Sequence, residues 1–303
     1  AVGMATNILP HNLNEIIDAT IKLIDAPETE VLELMEFVKG PDFPTGGIIL
    51  GNTGIRSAIM TGRGHLKVRA VCDIEEKRII VSEIPYQVNK TNLIEAIANL
   101  VRSKRVEGIS DIRDESDRSG MRVVIELKRG VNAELILNQL YKFTQLQVSM
   151  GVNCLALVNG EPKVLNLKEL IENFLIHRKD VIIKRTKFEL NKAEKRAHIL
   201  EGLKIALENI DPVIKTIKSS KDVTIAKSSL IESFKFTEIQ AQAILDMRLQ
   251  KITSLETNKL KEEYEGLTKL IVDLRDILSK EGRIFQIIKD ELSEMKKKYG
   301  NER

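Results

Sequence analysis

Four cationic residues, Arg56, Arg63, Lys67 and Arg69, fall between Phe43 and Cys72 with no acidic residue among them. Such an unopposed excess suits contacts to phosphate oxygens, and Gly62 and Gly64 let backbone N–H groups approach as well. The same residues also read as a solvated hairpin whose glycines only make a turn. Asn89, Lys90, Arg102, Lys104 and Arg105 form a second basic strip, with Asn89 able to cap a helix or donate to phosphate. Plain solvation of helical cations accounts for that strip as readily.

Other chemistry-bearing residues point elsewhere. The stretch Arg178 to Arg196 holds eight basic and three acidic residues, on a helix flank where charge serves solubility. Asp114, Glu115 and Asp117 suggest a metal site only until Arg113, Arg118 and Arg122 are counted between and beside them; a polar turn is the better reading, and no metal ligand set is assigned. His11, alone between Pro10 and Asn12, reads first as a structural hydrogen-bonding residue, with a DNA contact or a domain junction as alternatives. Cys72 and Cys154 lie in apolar, strand-like runs without a second cysteine or histidine nearby, which indicates buried thiols rather than zinc or a disulfide.

A chain of 303 residues makes two globular units, or one with a long extension. Aromatic content of 4%, no Trp and 30% charged residues favour much solvated helix surface and an elongated molecule. The net charge of +3 is too small to mark a nucleic-acid binder, so the local distribution of charge must carry that argument. No apolar run reaches the roughly 18 residues of a membrane-spanning helix, and residues 1–20 lack a basic start followed by an apolar stretch, so the expected location is cytoplasmic, without membrane contact.

Residues 1–165 read as a mixed α/β unit. Asn12 or Asn14 caps a helix with Ile16, Ile17, Ile21 and Ile24 at helical spacing, and a second short helix near Phe37 ends at Gly40-Pro41 and Pro44. Leu66, Val68 and Ala70 alternate as in a strand. The run Ile79 to Val81, after a Glu75-Glu76-Lys77 turn, is its expected partner. Helices are expected over 92–101 and 135–140, and strands over 109–113 and 121–127.

From Asn166 the pattern turns to continuous helix up to Asp211-Pro212, about 45 residues or roughly 68 Å. A helix that long needs a partner. Leu260, Tyr264, Leu267, Ile271, Leu274 and Leu278 step alternately by four and three, a heptad seam. Ile183, Thr186, Leu190, Ala193, Ala197 and Leu200 answer it, followed after one slip by Leu203, Leu207, Ile210, Ile214 and Ile217. Residues 166–218 carry 12 basic and 8 acidic side chains and 255–279 carry 4 and 6, so the flanks attract. The expectation is an antiparallel coiled-coil arm: an outgoing helix over 166–218, a returning helix over 255–280, and a tail over 281–303 whose Ile284, Ile287, Ile288, Leu292 and Met295 cover the arm base. Two short helices fill the 219–254 tip, the second opened by Thr237 with Gln240 in a capping box. Ala241, Ile244, Leu245, Met247 and Leu249 are expected to leave apolar surface there, which favours a two-fold dimer.

Successive segments resemble one family in order: residues 1–8 (AVGMATNI) with Pro10-His11-Asn12, Gly40-Pro41-Asp42-Phe43-Pro44-Thr45, Thr61-Gly62-Arg63-Gly64, residues 83–90 (EIPYQVNK), Arg105-Val106-Glu107-Gly108-Ile109, Arg113-Asp114-Glu115-Ser116-Asp117 and residues 240–246 (QAQAILD). The whole chain is similar to the A subunit of bacterial DNA gyrase, a type IIA DNA topoisomerase. The resemblance implies an α+β fold with residues 1–165 as a DNA-facing tower, 166–218 and 255–280 as the arm, and 219–254 as an exit gate that closes a homodimer. It implies duplex DNA and the gyrase B subunit as partners, with ATP and Mg2+ brought by the B subunit and no cofactor in this segment. The implied DNA candidates are Arg56, Arg63, Lys67, Arg69, Asn89, Lys90 and Arg105. The family's attacking tyrosine belongs to a winged-helix motif expected upstream of Ala1, outside the surroundings of Tyr86, Tyr141, Tyr264 and Tyr299, so this segment alone is expected not to cleave DNA. The A subunit of topoisomerase IV is an alternative within the family; a non-catalytic coiled-coil scaffold is the alternative outside it.

Overall fold

The computed structural model describes residues 3–118, 120–247 and 254–303. The chain divides into two compact units, Ala1–Leu175 with Glu291–Arg303, and Ile176–Asp290. No helix among the described residues is long and apolar enough to cross a membrane.

The first unit runs through α1 (Leu13–Asp25), β1 (Ile48–Leu50), α2 (Thr53–Thr61), β2 (Arg63–Arg69), β3 (Val71–Glu75), β4 (Arg78–Glu83), α3 (Lys90–Arg102), β5 (Ile109–Asp114), β6 (Val123–Leu127), α4 (Ala133–Phe143), β7 (Gln147–Asn153), β8 (Leu155–Val158) and β9 (Glu161–Val164). It then enters the first turns of α5 (Leu167–Glu208). Asn12 starts α1 by accepting from the backbone N–H of Asn14 and Glu15. The buried stripe of α1 is Ile17, Thr20 and Leu23, with Ile16, Ile21 and Ile24 half-buried. Where a short helix was expected near Phe37 there is one 3-10 turn, Glu33–Glu36.

All strand pairs are antiparallel, in sheets ordered β1-β2-β7 and β3-β4-β6-β5 with β8-β9 as a ribbon. The β3-β4 turn falls at the expected place, but the expected pairing of the 66–70 strand with 79–81 does not form. Ala70 is buried between β2 and β3 and its N–H donates to the Leu146 carbonyl, so the chain changes sheets there. β2 pairs with β7, about eighty residues later, and β3 pairs with β4. Leu93 and Ile97 of α3 and Ile136 and Leu140 of α4 pack with Ile79, Val81 and Ile125 of the second sheet in one core.

Helix α2 stands where the alternative reading of these residues had a hairpin loop. Ile55 and Ile59 form its buried face, and Gly62, at φ 71°, is its left-handed C-cap. A Cβ at Gly54 would lie 2.0 Å from the His65 carbonyl oxygen and one at Gly64 2.5 Å from the Gly54 carbonyl oxygen, so glycine lets helix and strand meet at backbone distance.

The second unit continues α5 and adds α6 (Ile210–Ser219), α7 (Val223–Phe234), α8 (Glu238–Leu245), α9 (Ser254–Ser279) and the first part of α10 (Glu281–Tyr299). Asn209 breaks the long helix at φ −121°, and Pro212 falls in the first turn of α6, where its missing N–H costs no helical bond. The outgoing helix expected over 166–218 is therefore two helices, with the break at Asn209 rather than at Asp211-Pro212. Ion pairs join α5 to α9 in antiparallel order: Arg196 to Glu263 at 2.7 Å, Arg275 to Glu194 at 2.6 Å and Lys261 to Glu208 at 4.0 Å. Lys179 pairs with Glu281.

Of the seam positions, Thr186, Ala193, Ala197, Leu200, Leu203, Leu260 and Leu274 are buried, as expected. Ile182, Ala206, Val213 and Ile277 are buried where Ile183, Leu207, Ile214 and Leu278 were expected. A second neighbour widens the covered face of α5. A Cβ at Gly202 would lie 2.6 Å from Cγ of Gln240, so α8 meets α5 at the Gly202 and Ala206 side while α9 covers the seam. The break at Asn209 then starts α6 on a new phase.

Candidate nucleic-acid interface

The side chains of β2 alternate. Gly64, Leu66 and Val68 face α2, and Arg63, His65, Lys67 and Arg69 form a row on the opposite face, spaced by about 6.8 Å. Register places Asn153, Gly151, Ser149 and Gln147 of β7 beside Arg63, His65, Lys67 and Arg69, so the neighbouring strand contributes no acid. Arg63, His65 and Lys67 are exposed, and none of the three has a side-chain partner among the described residues. Arg69 is held: its Nε and Nη2 donate to Gln147 Oε1 at 3.0 and 2.7 Å, and its guanidinium lies 4.3 Å from the Tyr141 ring centroid.

Arg56 is exposed on α2, which covers the Leu66 side of β2, so it does not join the row. Gly62 is not available to an anion either: its N–H caps α2 by donating to Ala58, and its carbonyl accepts from Cys154. His65, Ser149 and Gly151 were not identified from sequence. The alternation around Leu66 and Val68 points to His65, but nothing local to residues 147–153 announces their pairing with β2.

The second strip divides into separate small structures. Asn89 is the N-cap of α3, its side chain accepting from Asn92. Lys90 pairs with Asp114 at 2.7 Å, and this hydrogen bond, with two from Ser116, holds the Asp114 carboxyl down to about 2. Glu115 pairs with Arg113 and Arg122, so these carboxylates serve the turn. Arg105 lies 4.8 Å from the Phe143 ring centroid, which Lys142 also approaches at 5.5 Å, a basic and aromatic group assembled from the ends of α3 and α4.

The expectation of outward apolar surface at the tip needs correction. Ala241 is 0% and Ile244 3% exposed, both in a core with Leu203, Val213, Leu230, Phe236 and Leu260. Leu245 and Met247 are half-buried against that core, and Leu249 lies outside the described residues. The capping box forms as expected, with Thr237 N–H donating to Gln240 Oε1 at 3.0 Å and Gln240 N–H to Thr237 Oγ1 at 3.3 Å. Gln240 Nε2 then donates to the His198 carbonyl at 2.8 Å, turning the α8 side chains just named toward α5. Among the described residues of the tip, the large apolar side chains that are exposed are Val223, Ile225 and Ile239, the last at 62%.

His11 Nδ1 meets the Leu9 carbonyl at 2.9 Å, in keeping with a structural role. Tyr86 stacks on Phe43 with ring centroids 5.3 Å apart. Burial, with the neighbouring Cys72, pushes the Tyr141 hydroxyl above its ordinary range.

A sequence model of one family, that of the A subunit of DNA gyrase and topoisomerase IV, matches residues 1–293. The DNA gyrase A subunit of Clostridium acetobutylicum is 56% identical over 308 residues, covering 100% of this chain and 37% of the relative. The gyrase A subunit of Halalkalibacterium halodurans is 56% identical over 307 residues with the same coverage. That of Helicobacter pylori is 52% identical over 307 residues, again covering 100% of this chain and 37% of the relative. The chain thus spans a little over a third of the length of the curated relatives it matches.

Proposed function

The chain belongs to the family of DNA gyrase and topoisomerase IV A subunits, and from that premise we propose that it forms the DNA-supporting tower, arm and exit gate of a bacterial type IIA topoisomerase. The observation that carries the DNA part of this reading is the row on β2, cationic at Arg63, Lys67 and Arg69 and flanked on β7 by neutral side chains only. Exposed cations without intramolecular partners lose little on meeting phosphate, whereas Lys90 would first give up Asp114. Contact therefore centres on Arg63 and Lys67, with Arg69 as a fixed end of the row and Arg56 approaching from α2.

The antiparallel pair α5 and α9 acts as the arm, and its tip as the dimer contact through Ile239, Val223 and Ile225 rather than through the buried Ala241 and Ile244. In the intact assembly, two such A subunits work with two B subunits. The B subunits supply ATP turnover and Mg2+, one duplex rests on the tower, and a second leaves through the gate, giving negative supercoiling in the bacterial cytoplasm at the nucleoid. Opening is a motion at the tip interface. Relatives named gyrase, at 52–56% identity, favour gyrase over topoisomerase IV.

Strand cleavage is assigned to another part of the protein. Tyr86 and Tyr141 are engaged with Phe43 and Cys72, Tyr264 is half-buried on α9, and Tyr299 has no hydrogen-bond partner among the described residues to activate it.

Salt dependence tests the DNA contact. Each neutralised phosphate adds about −0.9 to the slope of log affinity against log salt, so four contacts predict about −3.6. In the full-length enzyme, the Arg63→Gln and Lys67→Gln double variant is expected to make that slope shallower by about 1.8. An unchanged slope overturns the assignment of β2.

A further inference from the structure

The first unit contains a cavity of about 460 Å3 whose walls are almost wholly apolar. Ile17 of α1, Ile59 of α2, Val152 of β7, Ile171 and Phe174 of α5 and Leu292 of α10 are among the side chains that line it. Three polar side chains border it: His11, Thr20 and Cys154. The Thr20 hydroxyl is spent within α1, donating to the Ile16 carbonyl at 2.7 Å. The Cys154 thiol, kept protonated by burial, is a weak donor.

His11 differs from both. Its Nδ1 faces the Leu9 carbonyl at 2.9 Å, and a carbonyl only accepts, so Nδ1 carries the proton and Nε2 keeps a lone pair. Burial lowers the pKa of the ring below its ordinary value, which keeps the imidazole neutral near pH 7. Nε2 has no partner among the described residues.

We propose that this cavity is a binding site for an apolar small molecule carrying one hydrogen-bond donor, which His11 Nε2 receives. The volume falls within the roughly 300–1,000 Å3 of small-molecule sites, and such sites pair apolar walls with very few polar groups that set orientation. The cavity opens to solvent beside Ile8, Leu13, Phe174 and Met295, which gives a ligand a way in, and an apolar occupant removes from water a wall that offers it almost no polar partner. The inference stands apart from the DNA reading, since no residue of the β2 row lines the cavity.

The probes are 2-naphthol and naphthalene, alike but for one hydroxyl, and the protein is the full-length chain. Equilibrium dialysis is expected to show both binding, with 2-naphthol about fivefold tighter. His11→Leu should erase that preference and leave naphthalene bound. Leu170→Trp, placing a larger side chain into the cavity, should weaken both probes at least tenfold. Met295→Trp should do the same from a partly exposed position on α10, where a larger side chain is tolerated; thermal melting confirms that the variants are folded. The proposal is overturned if neither probe binds the natural protein, as when another segment of the full-length chain fills the cavity. It is also overturned if His11→Leu keeps the preference, or if both tryptophan variants bind undiminished. The salt slope of DNA binding is a separate readout and stands or falls independently.

Discussion

Arg196 and Glu263 meet because each flanks a helical seam whose period is written in its own segment. Lys67 and Ser149 meet because β2 and β7 share one register, and nothing in either segment names the other. The second unit is built on the first kind of relation and the first unit largely on the second. A seven-residue pattern specifies a face, a partner type and an approximate register together. An alternating strand specifies only which side chains share a face. A charge on α5 therefore has its partner set by the pattern of its own segment, whereas a charge on β2 acquires its neighbours only from the sheet.

The sharpest way to break this contrast is at the tip, where the helical pattern misplaced the surface. Ile244→Asp puts a charge into the tip core and should cost about 3–5 kcal/mol by denaturant unfolding. Ile239→Asp should change stability by less than about 0.5 kcal/mol yet yield monomers in sedimentation if the tip closes the dimer. A reversed pair of results would return the interface to the inner face of α8. Next in size is Gly202→Val, whose Cβ collides with Gln240; we expect a loss of about 1–3 kcal/mol, with faster amide exchange in α8. Equal exchange would mean that α8 does not depend on that close approach.

Smaller effects sharpen the comparison. Arg196→Ala removes an exposed two-pronged pair to Glu263 and should cost about 0.2–1 kcal/mol, less at high salt. A loss that ignores salt would point to packing of the arginine stem instead. The smallest concerns Asp114, on the surface, with its carboxyl held to about 2. A depressed carboxylate stabilises the fold above its unfolded pKa, and the gain is lost as pH falls through the folded one. Asp114→Asn should therefore flatten the part of the urea-midpoint curve between about pH 4 and pH 2 that this group contributes, and change nothing at pH 7 beyond the Lys90 contact. An identical curve in the variant refutes the coupling.

The helical elements were legible wherever periodicity and caps agreed, as at Asn12, Asn89 and Thr237. The break at Asn209 was not, because Pro212 signals a stop only when it falls inside a helix, and here it falls at the start of the next one. Helix α2 was hidden by Gly54 and Gly62, residues that normally argue against helix; packing against β2 requires the first and the C-cap the second. The basic row was half legible: the lack of acids between residues 43 and 72 pointed to Arg63, Lys67 and Arg69. His65 and the neutral β7 neighbours needed a pairing across eighty residues. At the tip, the apolar character of Ala241 and Ile244 is plain in the sequence but the side they face is not, because two neighbours, α5 and α9, compete for one small helix.

The first unit is made of two pieces of chain, with the second unit inserted between Leu175 and Glu291. Lys296 is paired with Asp18, Arg303 with Glu15, and the Asn301 carbonyl accepts from Asn12 and Asn14. A ribosome making this protein at roughly 5–20 residues per second would finish the sheets, then spend on the order of 6–23 s on the insertion before the closing piece emerged. During that interval Leu292 and Met295 are missing from their cavity, and the nascent sheets display an oily cleft to the surrounding solvent. A nascent chain that has not yet made the tail of α10 therefore leaves bare the apolar wall that Leu292 and Met295 border in the finished protein.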